Sequence, residues 1–290
     1  MKVAVLITSS DENLPYLRRC LESAFSMAGG DFDVHFHISH QGQLVGEFEN
    51  IVDNVAGVNL FEDGEFPEEE ELSDAFMTCS HMPFDGEFGM GVNMNRLIVD
   101  SLVNGADWLF QLDSDDIVHE MFLVEAEDYM KEHVGDMAII VGTRICIDEN
   151  GSFVGMSLMD VNQDNYRSVP KEMILAHFYL AHPRMVSAKV LKSMMPDLYD
   201  TYLDCAVDWE FYSRVVGRFH EQLKVVFLPG KMKYYQRLHP ASIRGRISRS
   251  EVSETFVRAW ERKSRHLWPT VTSLEVAKDS MRVFLEKEGE

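Results

Sequence analysis

Short apolar runs alternate with stretches of helical spacing along the first half of this chain, and that alternation leaves few folds open. Val3 to Thr8 (VAVLIT) is a continuous apolar run of the kind that fills a fully buried strand. Asn13 then stands where a helix N-cap belongs, with Pro15 in the first turn. The helix LPYLRRCLESAFSMA is expected to run to Gly29-Gly30. Phe32 to Ser39 alternates at Phe32, Val34, Phe36 and Ile38, which predicts a second strand. A weaker helix and a short strand, Gly57 to Phe61, follow. Met90 to Asn104 carries Met94, Leu97, Ile98 and Leu102 at helical spacing, with Gly105 at its end, and Trp108 to Leu112 reads as another short strand. The β-α-β order predicts an α/β sheet with helices on both faces, whose ligands bind at the carboxyl ends of the strands.

After residue 135 the pattern changes. Met137 to Ile147 and Ser152 to Met156 read as a hairpin around Asp148-Glu149-Asn150-Gly151. Val207 to Gly217 reads as a helix. Leu223 to Leu228 and Lys231 to Gln236 read as strands joined through Pro229-Gly230. From Ser248 the tail reads as amphipathic and helical. One compact unit is expected, its second half covering the acceptor side of a cleft.

The 290 residues give ample length for a core. Apolar runs reach only about five residues, too short for a membrane-spanning helix. MKVAVLITSSDENL lacks the apolar length of a secretory signal. Cys20, Cys79, Cys146 and Cys205 are scattered without a CxxC pair, and read as reduced thiols in a cytoplasmic protein. With 27 basic against 48 acidic residues, the net charge of −21 argues against a broad grip on nucleic acid. Two segments depart from the average. Glu62 to Asp74 carries eight acids and no Lys or Arg, as a solvated loop would. Arg237 to Arg265 carries eight basic residues and three acids.

The segment FQLDSDDIVHE places Asp113, Asp115 and Asp116 directly after an apolar strand. In extended backbone, residues two apart face the same way, so Asp113 and Asp115 converge. A divalent cation there cancels their repulsion, and Mg²⁺ or Mn²⁺ commonly sits between carboxylates and substrate phosphates. A cap at Ser114 or Asp116 for a helix starting near Val118 accounts for one acid and leaves the other two unexplained. An EF-hand loop fails, because its fifth and sixth positions would be Ile117 and Val118. A phosphohydrolase of the Asp-x-Asp type, with Asp113 as nucleophile, is the alternative. Against it, Gly135-Asp136 runs into the strand MAIIV rather than a second acid.

Four segments in order, VAVLITSSDENLPYLRRCLESAF, GMGVNMNRLIVDSLVNGADWLFQLDSDD, VDWEFYSRV and YYQRLHPASI, resemble those of family 2 glycosyltransferases with a GT-A fold, over about residues 3–244. The resemblance implies a mixed central sheet with helices on both faces and a helical C-terminal tail. It divides the chain into a transferase domain at 1–245 and an extension at 246–290 packed on it. Asp113 and Asp115 match the Asp-x-Asp motif that holds the metal, Mn²⁺ or Mg²⁺, and the diphosphate and ribose of a nucleotide-sugar donor. His239 matches the histidine that completes that site. Asp208 matches the catalytic base. Thr8 and Ser10 fall where the first strand meets the nucleoside, and Asn95 and Arg96 on the helix that supports the donor pocket.

Three departures from the family pattern stand out. The turn after the first strand reads TSSDEN. The second strand ends Ile-Ser-His-Gln with no acid to read a base, which leaves Ser39 or His40 for that role. Val207 occupies the first acidic position of the later motif, so Asp208 is the natural base and Glu210 an alternative.

The reaction implied is metal-dependent, inverting transfer of a sugar from a nucleotide-diphosphate donor, a UDP-sugar foremost, to a hydroxyl acceptor. One carboxylate takes the acceptor proton, and one cation neutralises the departing diphosphate. Arg237, Arg244, Arg246 and Arg249 are candidates for a lid over that diphosphate. The bland readings are a helix-dipole acid for Asp208, a loop histidine for His239 and a plain basic surface for the arginines. A non-catalytic nucleotide-sugar-binding module is a further alternative. Nucleic acid enters only as an acceptor, such as DNA with a hydroxymethylated base.

Overall fold

In the computed structural model, which describes residues 1–27, 31–60, 77–82, 90–157, 183–203, 207–240, 254–255 and 258, strand β1 (Lys2–Ser10) lies at the heart of a seven-stranded sheet. It pairs in parallel with β2 (Asp33–Gln41) on one side and β4 (Trp108–Asp113) on the other. β3 (Met77–Met82) extends the sheet beyond β2. Beyond β4 lie β9 (Arg184–Ser187), β6 (Ala138–Val141) and β10 (Lys224–Phe227), and β9 runs antiparallel to both its neighbours. The order is β10-β6-β9-β4-β1-β2-β3.

Strand alternation divides the core into two layers. Val3, Val5 and Ile7 of β1, with Trp108, Phe110 and Leu112 of β4, pack under three helices. These are α1 (Leu14–Ser26), α2 (Val45–Leu60) and α4 (Phe122–Glu132). Ala4, Leu6 and Leu109 face the opposite layer. That layer holds α3 (Met90–Val103), α5 (Ala188–Met194) and α6 (Val207–Phe219). With about 2 kcal/mol gained per buried Val, Leu or Ile, strands apolar on both sides are stable only between two helical layers. This is the mixed sheet with helices on both faces that the sequence predicts.

A second sheet of four strands, β5-β11-β7-β8, leans over the carboxyl ends of the first. It comprises β5 (Ile117–Val118), β7 (Thr143–Asp148), β8 (Phe153–Ser157) and β11 (Lys233–Leu238). The expected hairpin from Met137 is therefore corrected. Its first arm splits at Gly142, with β6 in one sheet and β7 in the other. A Cβ on Gly142 would run into the Met232 backbone oxygen, so the crossing requires glycine. The turn itself is as predicted: Asp148 Oδ1 accepts from the Asn150 and Ser152 amides at 2.9 and 2.8 Å.

Other boundaries also move. The strand expected at Gly57 to Phe61 does not form there, because α2 runs on to Leu60. Ile117–Val118 is a strand rather than a helix start, and α4 begins at Phe122. Asn13 makes no side-chain cap; a 3-10 turn, Asp11–Asn13, leads into α1 instead. The acidic segment Glu62 to Asp74 and nearly all of the tail lie outside the described residues. Cys20, Cys79 and Cys146 are free thiols. Among the described residues no helix is long and apolar enough to cross a membrane.

Candidate active site

From β1 the chain adds β2 and β3 on one side and then returns to place β4 on the other. The sheet order reverses between β1 and β4, and ligands of open α/β sheets bind beyond the carboxyl ends at such a point. Thr8 stands there in register with Ser39 on β2 and Asp113 on β4. Toward this end one layer changes character. On the α3 side β1 reads Ala4, Leu6, Thr8 and β4 reads Leu109, Gln111, Asp113, and antiparallel β9 brings Arg184 to the same end. The α1 side stays apolar through Ile7, Leu112 and Met185. The polar cleft therefore opens toward α3 and α6.

Asp113, Asp115 and Asp116 divide into two kinds. Asp116 is buried; its Oδ2 accepts from Tyr234 Oη at 2.5 Å and its Oδ1 from the Arg237 amide at 2.7 Å. It fastens the acidic loop to β11, a tertiary role in place of the expected helix cap. Asp115 Oδ2 lies 2.9 Å from His239 Nε2, so two of the three sequence-proposed metal ligands are brought together directly. The His239 ring rests against Tyr16 with centroids 4.5 Å apart. Asp113, partly buried, accepts from Gln111 Nε2 at 3.1 Å. Burial first, and then the charge on Asp115, push Asp113 up to about 7.

Arg237, a candidate for the lid, is a strut. Its Nε donates to the Asp115 carbonyl at 2.9 Å and its Nη1 to the Glu149 carbonyl at 2.8 Å. It is buried, with its guanidinium 5.1 Å from the Tyr16 ring centre. Arg244, Arg246 and Arg249 lie outside the described residues.

Asp208 opens α6, 30% exposed at its side chain, with Oδ2 3.4 Å from Arg184 Nη2. Its alternative, Glu210, is fully buried and held by Arg214 at 2.6 and 2.9 Å. That pair fixes α6 to the Asp197–Leu198 carbonyls, which Arg214 also reaches. Glu210 has no opening to the cleft.

Other expected positions sort by location. Asn95 clamps the Tyr199 main chain, donating at 2.8 Å to its carbonyl and accepting at 2.9 Å from its amide. Arg96 points outward, 3.9 Å from Asp100. The α3 residue that reaches the β2 end is Asn93, whose Nδ2 donates to Gln41 Oε1 at 3.1 Å. Ser10 stands opposite Gln41, and Ser39 is buried. His40 forms a wall: it stacks on Phe48 at 4.8 Å and its Nε2 lies 3.1 Å from Asp11 Oδ1. Asp11 also accepts the Gln43 and Leu44 amides at 2.9 and 3.0 Å.

Sequence reasoning passed over Gln111, Arg184, Tyr199, Tyr212 and Asp11. Gln111 carried a legible signal, a lone amide inside the apolar run WLFQL.

This mixed seven-stranded sheet with helices on both faces agrees with the GT-A-type fold that the resemblance implies, and it is shared with solved structures. Among solved structures, S. aureus TarS 1-349 in complex with UDP-GlcNAc matches with a TM-score of 0.60 at 15% identity, covering 97% of this chain and 79% of that one. S. aureus TarS 1-349 alone matches at 0.58 and 14% identity, covering 100% and 92%. The complex of TarS 1-349 with UDP matches at 0.53 and 13%, with the same coverage. No family model matches the chain, and no curated protein matches it in sequence.

Proposed function

We propose that this chain is a metal-dependent, inverting glycosyltransferase that moves a sugar from a nucleotide-diphosphate donor, a UDP-sugar foremost, to a hydroxyl group. The observation that carries the reading is the convergence at the switch point. Asp115 and His239 meet, Asp113 stands one strand-end away, and Asp208 faces them from α6. A fold shared with a UDP-GlcNAc complex supports the choice of donor.

Asp113, Asp115 and His239 fit a divalent cation, Mn²⁺ or Mg²⁺. They supply two carboxylates and one imidazole; burial and then the charge of Asp115 raise Asp113, and a cation would favour its charged form. Among the described residues no three such groups close around one point; a cation held by Asp115 and His239 would draw Asp113 in and would need donor phosphates and water to complete its shell. When bound, the cation supplies charge neutralisation for the diphosphate.

The chain's own residues do the rest. Thr8, Ser10 and Ser39 line the strand ends where the nucleoside lies. Asp208 takes the proton of the acceptor O–H as the oxygen attacks the anomeric carbon. The bond from that carbon to the diphosphate oxygen breaks, and its electron pair leaves with the diphosphate. Attack from the face opposite the leaving group inverts the anomeric centre. The catalytic unit is read as residues 1–245, with 246–290 as an extension and Arg244 at the diphosphate.

The test is thermal unfolding with UDP, GDP, CDP, ADP and dTDP, each with and without Mn²⁺, on wild type and Asp115→Ala. A nucleotide at about 100 times its Kd stabilises the folded chain by about 2.7 kcal/mol. A Mn²⁺-dependent shift with UDP, lost in Asp115→Ala, is expected. No shift with any nucleotide in a folded protein would overturn the reading.

A further inference from the structure

We infer that Arg184, stacked on Tyr212, is the positioning residue for Asp208, while Tyr199 and Gln111 hold Asp113 from the β4 side. The inference rests on the reading of Asp208 as the base and goes beyond it, since it assigns how the base is held.

Arg184 is 1% exposed and sits on β9, inside the main sheet. A guanidinium so deeply placed is costly unless paired. Two of its partners belong to α6. Nη2 lies 3.4 Å from Asp208 Oδ2, and the guanidinium stacks 4.0 Å from the centre of the Tyr212 ring. Its charge also attracts Asp113. It therefore favours the charged form of Asp113, which the charge of Asp208 opposes.

Asp113 is held from the β4 side. Gln111 Nε2 donates to Asp113 Oδ1 at 3.1 Å, and Tyr199 Oη donates to Gln111 Oε1 at 3.4 Å. Phe211 lies between the two tyrosines, its ring 4.5 Å from that of Tyr199 and 5.1 Å from that of Tyr212. Each member is fixed separately: Gln111 by β4, Arg184 by β9, Tyr212 by α6, and Tyr199 by the Asn95 clamp and a stack on Phe211 at 4.5 Å. Asp208 is the most exposed member, 30% exposed at its side chain at a helix start. The Trp209 amide donates to its Oδ1 at 2.8 Å and Arg184 holds its Oδ2. Removing Arg184 frees the carboxylate to rotate away from the acceptor hydroxyl, while the metal and nucleotide contacts at Asp113, Asp115 and His239 persist. The effect therefore falls on turnover and spares donor binding.

The experiment uses the full chain with UDP-GlcNAc and Mn²⁺, water serving as acceptor, and reads UDP release together with calorimetric UDP binding. Arg184→Met is expected to slow release about 100-fold while the Kd for UDP changes less than about twofold. Arg184→Lys is expected to recover at least about a tenth of the wild-type rate, and Tyr212→Leu, which removes the stacked ring, to fall by about tenfold. A rate within about threefold of wild type in Arg184→Met, or a parallel loss of UDP binding, overturns the inference and leaves the glycosyltransferase reading standing. Should Arg184→Met fail to fold, full wild-type rates in both Arg184→Lys and Tyr212→Leu overturn it equally. A wild-type chain that neither binds UDP with Mn²⁺ nor releases it overturns the glycosyltransferase reading, and the inference with it.

Discussion

Replacing Asp113 by asparagine separates the cost of this site from its use. Asp113 is pushed from the usual 3.8 up to about 7, first by burial and then by Asp115, with Asp208 adding repulsion and Gln111 and Arg184 opposing. A carboxyl whose folded pKa is raised holds its proton more tightly in the folded chain than in the unfolded one. Its contribution to stability is thus highest below pH 3.8 and is lost as pH rises through about 7. The gap corresponds to about 4 kcal/mol at most, and partial contact with water and relaxation of the loop reduce it to roughly 2–3 kcal/mol. The asparagine amide keeps the shape and can still accept from Gln111, but carries no charge. Urea unfolding of Asp113→Asn should match wild type near pH 4 and exceed it by roughly 2–3 kcal/mol at pH 8. Adding Mn²⁺ at pH 8 should then stabilise wild type and leave the variant unchanged. Parallel pH curves for the two proteins, or a variant less stable than wild type at pH 8, would refute the reasoning.

Two further outcomes follow from neighbouring residues. Asp208→Asn should retain Mn²⁺-dependent UDP binding in calorimetry and lose at least about 100-fold in UDP release from the sugar nucleotide; equal turnover would remove Asp208 as the base. Glu210→Gln removes the buried one of the two carboxylates on Arg214, Asp197 Oδ2 remaining at 3.1 Å, and should lower unfolding stability by about 2 kcal/mol; an unchanged urea midpoint would show that Asp197 and the Leu198 carbonyl satisfy that arginine without Glu210.

The fold was legible where the apolar pattern is long and regular. VAVLIT, WLFQLD and the helix spacing in Met90 to Val103 each show a core-facing period, and each element forms within a residue or two of its expected place. β3 and β9 were not legible. MTCSHM mixes Thr78, Ser80 and His81 into its six residues without a regular period, and RMVS is only four residues long, so both owe their strand state to neighbours already in the sheet. The β6 to β7 crossing was hidden for a similar reason. Gly142 interrupts what reads as one strand, and only the close approach of Met232 gives the glycine its meaning. At the site, Asp113, Asp115 and His239 could be nominated because motifs space them, and the structure brings Asp115 and His239 together. Arg184 could not, because its partner Asp208 lies 24 residues away and on another element.

Three neighbouring acids in one loop pose an electrostatic problem, and this structure divides it between two sheets. Asp116 turns away from the cleft and is absorbed by β11, through Tyr234 and the Arg237 amide. Arg237 then reaches forward to the Asp115 carbonyl and across to the β7–β8 turn. Two residues further on, the same strand delivers His239 to the Asp115 carboxylate. The second sheet therefore fixes the loop with one acid while presenting another. Asp113 is held from the opposite side by Gln111, within the first sheet. Because the two anchors belong to different sheets, disturbing either should change the Asp113–Asp115 spacing. Asp116 accordingly matters to the site without facing it. A change at Asp116 should loosen Asp115 and His239 together, whereas a change at Gln111 should act on Asp113 alone.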